Sequence, residues 1–547
     1  MKNCRGSHWR VATGDDWHLH DERSHVSRCC WIEEWFQIQG AGLMKIQGIS
    51  GLLLSGLLLA TCARSSSLAG ELLVGVSQVE VTERRSIETH DPLFVKAMVL
   101  DDGVAPIVLV TVDAVAIGEL GRISDSYFKA LQSYLEQDLR IPVGNLVVNA
   151  SHCHGVIRSD VLELTKQAIQ QAHAAREPVR VGAGIAHEDR ISENRRVRLA
   201  NGAEADMRRA YAMPADAAVA AVGPIDPEIG LLRIDRMDGR PLAAIYHFAC
   251  HPIEGVPSGG NTADFPGFAS RVIEENLGEG VIAFFLQGCG GDINPARYKD
   301  ASRPRDAEPL GNLLGLAALR GLRKIETTQN ASLKIATATL KLPRATDYQQ
   351  RIEAVETEQK RLVRELKPTN LNFKAFLSLL TQQKLSSEYP SAESQRYLHE
   401  KQLGREDLVR MDSANRAEVE AFQANILAME QLTRLQANLD LLKMHQEQTR
   451  SAASDTLDAA LVGLRVGNFT LVTFPGELTV EVGLKIKKQV NRPNTFVSGY
   501  TNGYIYYTPT AEQRRNPGFA QEDCDSLVAP EWEAIFVEQA IRLIKSL

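Results

Sequence analysis

The chain has 547 residues, of which 44% are hydrophobic, and its 61 basic and 68 acidic side chains give a formal net charge of −7. This length and apolar content allow one large hydrophobic core or two ordinary ones, so a globular protein is expected. The charge is mild for the size, and no Lys/Arg-rich run could follow a phosphate backbone, which argues against nucleic acid as a partner.

The N-terminal region reads as a targeting segment rather than as part of the fold. Residues 1–43 are rich in Trp, His, Arg and Asp and show no period, whereas Met44-Lys45 opens a basic stretch that precedes an apolar run over 49–60. This order is typical of a signal peptide with its own start. The apolar run is shorter than the about 20 residues that span a bilayer.

Small residues at 67–69 suit cleavage before Gly70, so we predict a signal peptide at 44–69 and export of the mature protein. Residues 1–43 are interpreted as an over-extended gene start, with a real leader as the alternative. The mature domain, 70–547, is then secreted or periplasmic. Lipid anchoring at Cys62 is the minor alternative, because Thr61 fits a lipoprotein motif poorly.

From Glu71 onward, strand-like and helix-like segments alternate. The pattern predicts a helix over 124–137 and strands over 72–81, 107–115, 146–149, 243–249, 282–287 and 469–474. It indicates an α/β fold with a mixed β-sheet core, flanking helices and one helical insertion. Several strands run straight into loops that carry polar residues, which is where α/β folds place their sites.

The first chemical motif is His152-Cys153-His154, at the end of a predicted strand. Side chains on a strand alternate between faces, so the two imidazoles are predicted to point the same way and to share a metal, or to act as a ligand and a proton carrier. An isolated pair of this kind is more often a satisfied surface or core feature.

The second motif, Cys250-His251-Pro252, ends the strand predicted over 243–249. Pro252 cannot continue a ladder and restricts the backbone before it, so the imidazole is held at a fixed position. A buried structural or capping histidine is the alternative. Asp264 follows in a loop and is a candidate to orient a ligand from behind.

The stretch from Asp347 to about Arg450 differs in kind from the rest. It is charged, almost free of glycine, and carries apolar residues at three- and four-residue steps, among them Phe422, Ile426, Met429, Leu435, Leu439 and Leu442. We predict a helical hairpin or small bundle over 347–450 that packs against the main domain. The alternative is a lid, or a membrane-facing arm, over the substrate entrance.

Two further motifs follow this insertion. In Pro475-Gly476-Glu477 a carboxylate leaves a strand through a tight turn, although such a turn is usually no more than a helix start. The tyrosine-rich run over 500–507 is more often a packed strand than a site. Imidazole, carboxylate and phenol groups are, however, the types that hold a catalytic zinc ion.

Three cysteines, Cys153, Cys250 and Cys289, fall inside candidate motifs. We interpret them as small buried residues, because four cysteines in the mature chain do not make a disulfide scaffold. A disulfide within the three, or a thiolate ligand to zinc, is the alternative.

Taken in order, with Gly291-Asp292-Ile293-Asn294-Pro295 between the second and third, the four motifs resemble the catalytic domain of the neutral, non-lysosomal ceramidases and their bacterial relatives. The resemblance runs from about Gly70 to the C-terminus. It implies Zn²⁺ as cofactor, a proton carrier or substrate contact at His154, an oxyanion partner at Arg195, and metal ligands at His152, His251, Glu477 and Tyr507. Tyr504 and Tyr506 are expected to be packing residues or pocket walls.

The chain departs from the family pattern at two positions. Asn294 stands where the family has a serine long treated as catalytic, and Phe519 stands where it has a tyrosine that donates to the oxyanion. Losing one oxyanion donor typically costs on the order of 10²- to 10³-fold in rate. Zinc can supply both nucleophile and Lewis acid without a serine, so we interpret the changes as a shifted substrate, with Asn294 orienting it.

The sequence therefore predicts a secreted, zinc-dependent hydrolase of an N-acyl amide bond in ceramide or a ceramide-like lipid, acting through a zinc-activated water. Its expected partner is a lipid or small-molecule substrate, met through peripheral membrane contact. The alternatives are a zinc hydrolase of an ester or phosphoester bond, because an open zinc position does not select the leaving group, and a binding protein that retains the metal without turnover.

Overall fold

The computed structural model describes residues 71–547 except 86–87, 208–213, 256–260, 297, 299, 301, 303–304, 330, 387–393 and 518–519. The predicted leader at 1–43, the signal peptide at 44–69 and the position of Phe519 therefore lie outside the described residues. The mature boundary at 70 stays a prediction for the same reason.

The largest element is an eight-stranded sheet. Its strands are β1 Leu73–Glu80, β2 Phe94–Asp101, β3 Ile107–Val112, β4 Leu146–Ala150, β5 Glu177–His187, β10 Glu228–Arg236, β11 Pro241–Phe248 and β12 Ile282–Gln287. Their order in the sheet is β12-β11-β10-β5-β1-β2-β3-β4. The pairs β3/β4 and β11/β12 are parallel, and the other pairs are antiparallel. This confirms the predicted mixed sheet.

A second sheet stacks on the first. It has the order β14-β15-β16-β18 and consists of β14 Leu333–Pro343, β15 Thr456–Val466, β16 Phe469–Thr473 and β18 Thr495–Ser498. Alternation along β2 shows how the layers form: Val95, Ala97 and Val99 face one core, whereas Met98 and Leu100 face the core shared with the second sheet. A strand buried on both faces reads as a continuous apolar run, as β3 does.

Helices cover the outer faces of both sheets. The first sheet is covered by α1 Tyr127–Asp138, α2 Val161–Ala174, α3 Asp264–Leu277 and α4 Glu308–Leu322, and the second by α9 Val480–Val490 and α12 Trp532–Ser546. The described elements thus stack as helix, sheet, sheet and helix, which confirms the α/β class. The helix predicted over 124–137 is observed over Tyr127–Asp138, with Ser126 as its N-cap residue.

Short strands and helices hold the loops around the sheet ends. They are β6 Ser192–Asn194, β7 Arg196–Leu199, β8 Glu204–Asp206, β9 Val219–Val222, β13 Ile293–Pro295, β17 Glu477–Leu478, β19 Tyr507–Thr508, α10 Ala511–Arg514 and α11 Gln521–Cys524. The tyrosine-rich run over 500–507 is not a packed strand, because only Tyr507 and Thr508 pair in a ladder. Most of that run is irregular backbone.

The described part of 347–450 is mainly helical, as predicted. Its helices are α5 Tyr348–Glu365, α6 Phe373–Leu385, α7 Ser394–Gln402 and the 45-residue α8 Asp407–Ser451. A separate core joins α5 to the C-terminal half of α8 through Ile352, Val355, Leu435, Leu439 and Leu442. Among the described residues, no helix combines the length and apolar character needed to cross a membrane.

Candidate metal centre

Three potential metal ligands from distant parts of the chain meet at one buried point. The ligand atoms of His152, His251 and Glu477 lie within 4.8 Å of one another, and each residue is about 2% exposed. Oε2 of Glu477 is 3.1 Å from Nε2 of His251 and 3.5 Å from Nε2 of His152. A cation bound by all three residues would require their ligand atoms to lie this close together.

These residues come together because each of the two histidines follows the end of a strand of the large sheet. His152 follows β4, and His251 follows β11, where its amide donates to Ile293 O (2.9 Å). The two edges of the large sheet approach each other here, since Asn149 Oδ1 accepts from the Gln287 amide (2.9 Å), at the end of β12. Asn149 also donates to Gly499 O (2.9 Å) and so ties the tyrosine-rich segment to the sheet.

Glu477 is presented by a small parallel ladder. Its strand β17 pairs with β19 so that Glu477 lies opposite Tyr507. The backbone of Gly291 runs directly against β17, and a Cβ there would come within 2.7 Å of Glu477 O. Only glycine permits this approach, so the glycine brings the Gly291-to-Pro295 loop against the carboxylate.

Both imidazoles are oriented from behind by backbone carbonyl oxygens. Nδ1 of His152 lies 2.6 Å from Val115 O, and Nδ1 of His251 lies 2.5 Å from Gly290 O. Donation from Nδ1 leaves the Nε2 lone pair directed at the shared point, as in known metal sites. Burial lowers the pKa of His152 to about 4, so the ring is neutral at neutral pH and can act as a ligand.

Two tyrosines bind the carboxylate of Glu477. Tyr504 donates to Oε1, and Tyr500 donates to Oε2 at 3.3 Å. Burial alone would raise the pKa of Glu477, but its close polar neighbours, among them the Tyr504 hydroxyl that donates to it, hold that pKa well below its ordinary value. Tyr504, expected to be a packing residue or a pocket wall, therefore has a polar role in keeping the carboxylate ionised.

Tyr507 completes the group. Its hydroxyl lies 3.2 Å from Nε2 of His251 and 3.3 Å from Nη2 of Arg195, and the guanidinium also lies over its ring at 5.6 Å. The four groups that the resemblance implied as ligands are thus neighbours in space. Two imidazole nitrogens, a carboxylate and a phenol fit a zinc ion in their chemistry.

Arg195 is buried and bound on several sides. It donates from Nε to Glu522 (2.7 Å), from Nη1 to Asn294 Oδ1 (3.0 Å) and from Nη2 to Gly291 O. The small β6/β13 ladder, in which Asn194 lies opposite Ile293, brings these segments together. Glu522 was not anticipated from sequence, because a Gln-Glu-Asp-Cys run carries no signal of what its carboxylates will face.

Asn294 keeps one donor available. Arginine can only donate, so the side-chain oxygen of Asn294 faces Arg195 and its amide nitrogen is the remaining atom. That nitrogen is buried and has no hydrogen-bond partner among the described residues. A buried donor without a partner costs about 1–3 kcal/mol, which favours an acceptor from a bound molecule or water.

His154 differs from His152 in its surroundings. Its side chain is exposed, and its ring centre lies 5.3 Å from that of His152. The strand whose alternation was expected to align the pair ends at Ala150, and His152 has a left-handed backbone with φ of 65°. His154 is therefore at the solvent side of the centre rather than inside it.

Left-handed backbone conformations concentrate around the centre. Besides His152, they occur at Tyr500 (53°), Asn502 (62°) and Tyr506 (61°). Each costs about 1–3 kcal/mol in a residue with a side chain and persists only where the surroundings enforce it. Asn502 shows how: its Oδ1 accepts from the Val148 amide at 2.7 Å. The loop is held in this shape by the sheet.

Two neighbouring carboxylates have structural partners. The Asp264 carboxylate accepts from the amides of Gly255 (2.6 Å) and Phe265 (2.8 Å). These bonds hold the loop after His251 in place, whereas the sequence had suggested that Asp264 orients a histidine ligand. Asp292 accepts from the Val480 amide at the start of α9 (2.8 Å). Burial raises the pKa of each to about 6.

The cysteines are buried thiols. Cys153, Cys250, Cys289 and Cys524 form no disulfide among the described residues, and burial raises the pKa of each. The candidate metal group found in the described part of the chain contains no cysteine. The interpretation as small buried residues is confirmed, and a disulfide within the first three is not formed.

Comparisons with known proteins identify solved structures that share the fold of this chain. No protein-family profile matches the chain, and no curated protein sequence does. A crystal structure of the neutral ceramidase from Pseudomonas aeruginosa matches with a TM-score of 0.54 and 16% identity, over 87% of this chain and 75% of that chain. A ceramidase complexed with C2 matches with a TM-score of 0.53 and 17% identity, over 87% and 76%. The structural neighbours are neutral ceramidases, and the expected fold is confirmed.

Proposed function

We propose that this chain is a zinc-dependent hydrolase of an N-acyl amide bond, with ceramide or a ceramide-like lipid as substrate. The observation that carries the proposal is the meeting of His152, His251, Glu477 and Tyr507 at one buried point. It occurs within a fold shared with neutral ceramidases. The fold by itself does not select a reaction, so the argument depends on the site.

In this proposal the four residues hold Zn²⁺, and Tyr500 and Tyr504 keep the Glu477 carboxylate ionised and aligned. Bound there, zinc supplies Lewis acidity toward a carbonyl oxygen and makes water a nucleophile at neutral pH. The neutral imidazole of His152 suits this role, because a protonated ring has no lone pair to offer.

The remaining groups act on the substrate. Arg195 lies beside the Tyr507 hydroxyl, where its positive charge stabilises negative charge that develops on the amide oxygen. The amide nitrogen of Asn294 offers the substrate a further donor. His154, at the solvent side, carries the proton that the leaving amine requires.

Export and membrane contact belong to the same proposal. A substrate of this kind lies in lipid aggregates, so a secreted or periplasmic enzyme with peripheral membrane contact is consistent with the signal peptide predicted over 44–69. Processing before Gly70 is tested by determining the N-terminus of the protein recovered outside the cell.

The proposal is tested by turnover of the purified mature chain on N-acyl amides, aryl esters and aryl phosphates. Each substrate is measured as purified, after chelation and after zinc is returned. Chelator-sensitive turnover that is greatest on N-acylsphingosines supports the proposal. Preference for an ester or phosphate identifies a hydrolase of that bond, and bound metal without chelator-sensitive turnover on any class identifies a binding protein.

Replacing His154 with alanine separates proton transfer from metal binding. We expect unchanged zinc content and a fall in kcat of about 10²- to 10⁴-fold, the usual contribution of a positioned acid–base group. Elemental analysis and steady-state kinetics measure the two quantities. His187→Ala, at an exposed histidine that ends β5, is the control and should change neither. Loss of zinc from His154→Ala would contradict the assigned role.

The lid alternative for the insertion is tested by removing its far end. Lys367 and Asn425 are joined by two hydrogen bonds of 2.8 Å, so a short Gly-Ser linker can replace residues 368–424 and leave the core between α5 and α8 intact. We expect unchanged zinc content and unchanged activity on short acyl chains. A selective change on long chains would identify a lid, and indifference to chain length rejects it.

A further inference from the structure

The C-terminal end of α8 packs against Tyr506 and Asp525, next to the strand that carries Tyr507. We propose that His445 of α8 positions Tyr507 by holding Asp525, so that the helical insertion is a structural component of the metal centre. The inference rests on the proposed role of Tyr507 as a metal ligand. His445 is a positioning residue, since it touches neither metal nor substrate.

His445 is fully buried, although most of α8 has one side in solvent. Its Nε2 lies 2.8 Å from Asp525 Oδ1, and its Nδ1 lies 2.8 Å from Gln448 Oε1. Buried polar atoms are nearly always paired, and here the pairing fixes the ring from both sides. The side chain of Asp525 is consequently tied to one turn of α8.

Asp525 is tied to Tyr507 through the backbone. Its carbonyl oxygen accepts from the Tyr507 amide at 3.0 Å, and its own amide donates to Gln521 O at 2.8 Å. One residue therefore connects α8, through its carboxylate, to the strand that carries the phenol, through its carbonyl. Without the bond from His445, the Asp525 side chain loses its link to α8.

The residue before Tyr507 is held by the same turn of α8. The Tyr506 ring packs edge-on against the His445 ring, with centres 4.6 Å apart, and Gln448 donates to its hydroxyl at 3.1 Å. Tyr506 has a left-handed backbone with φ of 61°, a conformation that reverts unless its surroundings enforce it. Two successive residues of the tyrosine-rich loop thus depend on His445 and Gln448.

Such dependence matters because metal ligands tolerate little displacement. Ligand distances hold within about 0.2 Å in working sites, and the phenol oxygen lies at the end of a long side chain. A small rotation of the Tyr507 backbone moves that oxygen by more than this tolerance. Loss of a group that orients a ligand costs about 10- to 100-fold in metal affinity.

The test uses the full chain loaded with Cu²⁺, because a phenolate bound to copper gives a charge-transfer absorption that reports Tyr507 directly. Tyr507→Phe establishes which absorption belongs to that residue. We expect His445→Ala to lose most of this absorption and to bind zinc about tenfold more weakly in a competition titration. His445→Gln, which can still donate to Asp525, should retain the absorption.

Leu442→Ala is the matched control. Leu442 lies one turn earlier on α8, is fully buried in the core between α5 and α8, and belongs to the helix without being a partner of Asp525. It should lose stability and keep the copper absorption. Absorption that is unchanged in His445→Ala, or reduced equally in His445→Ala and Leu442→Ala, overturns the inference while the metal site stands. Absence of any Tyr507-dependent absorption in the wild type rejects Tyr507 as a ligand, and the inference with it.

Discussion

Replacing His251 with alanine is expected to remove the metal from the purified protein and to abolish hydrolysis. His251 contacts both the Glu477 carboxylate and the Tyr507 hydroxyl, at 3.1 and 3.2 Å. Its Nε2 is thus within hydrogen-bonding distance of both groups. Losing a group that only orients a ligand costs 10- to 100-fold in affinity, and losing the ligand itself should cost more. Elemental analysis of the purified variant measures the effect.

His247 offers a matched control on β11, the strand that His251 follows. It is buried like His251 and four residues earlier, but its Nε2 faces Val497 O at 2.9 Å instead of the centre. His247→Ala should lower the free energy of unfolding through a cavity of about the same size and should retain zinc. Equal zinc content in the wild type and in His251→Ala would mean that the site is misassigned.

Local periodicity explains which parts of the fold were predictable. The apolar run of β3 and the three- and four-residue steps over 347–450 are properties of neighbouring residues, and both elements form as expected. The pairing of β12 with β11 and the approach of β4 to β12 depend on contacts between distant segments. No pattern within one segment encodes them.

The same limit applies to the centre. His152, His251, Glu477 and Tyr507 could be proposed because each stands in a short motif with a recognisable order along the chain. Glu522 and Tyr504 could not, because a carboxylate in a polar run and a tyrosine in an aromatic run acquire their partners only on folding.

His152 and His154 lie close together, but not through the strand geometry from which their proximity was predicted. The alternation rule assumes an extended backbone, and the left-handed conformation at His152 breaks it. Such a conformation is uncommon for a residue other than glycine, and here the His152 amide donates to Ala114 O at 2.9 Å. Rules of local geometry therefore fail most readily at the residues where the fold stores strain for function.

Replacing Arg195 with lysine is expected to lower kcat by on the order of 10²- to 10³-fold, as loss of an oxyanion donor does, while zinc content stays unchanged. In the wild type, the Arg195 guanidinium donates hydrogen bonds to four groups at once, which are Glu522, Asn294, Gly291 O and the Tyr507 hydroxyl. A lysine ammonium keeps the charge but lacks the planar fork that reaches them all. Buried acceptors left without donors should also cost about 1–3 kcal/mol in the free energy of unfolding.

Arg196 allows the two effects to be separated, because it is the neighbouring residue, is equally buried and shares Glu522. Its other partners are Asp523 (2.9 Å) and Glu204 (2.7 Å), and its hydrogen bonds reach neither Tyr507 nor Asn294. Arg196→Lys should therefore lose a similar amount of stability in urea unfolding and keep its kcat at a temperature where both variants are folded. An equal fall in kcat for both variants would show that Arg195 acts through stability alone. A fall confined to Arg195→Lys assigns its effect to the contacts with Tyr507 and Asn294, since those are the contacts that Arg196 lacks.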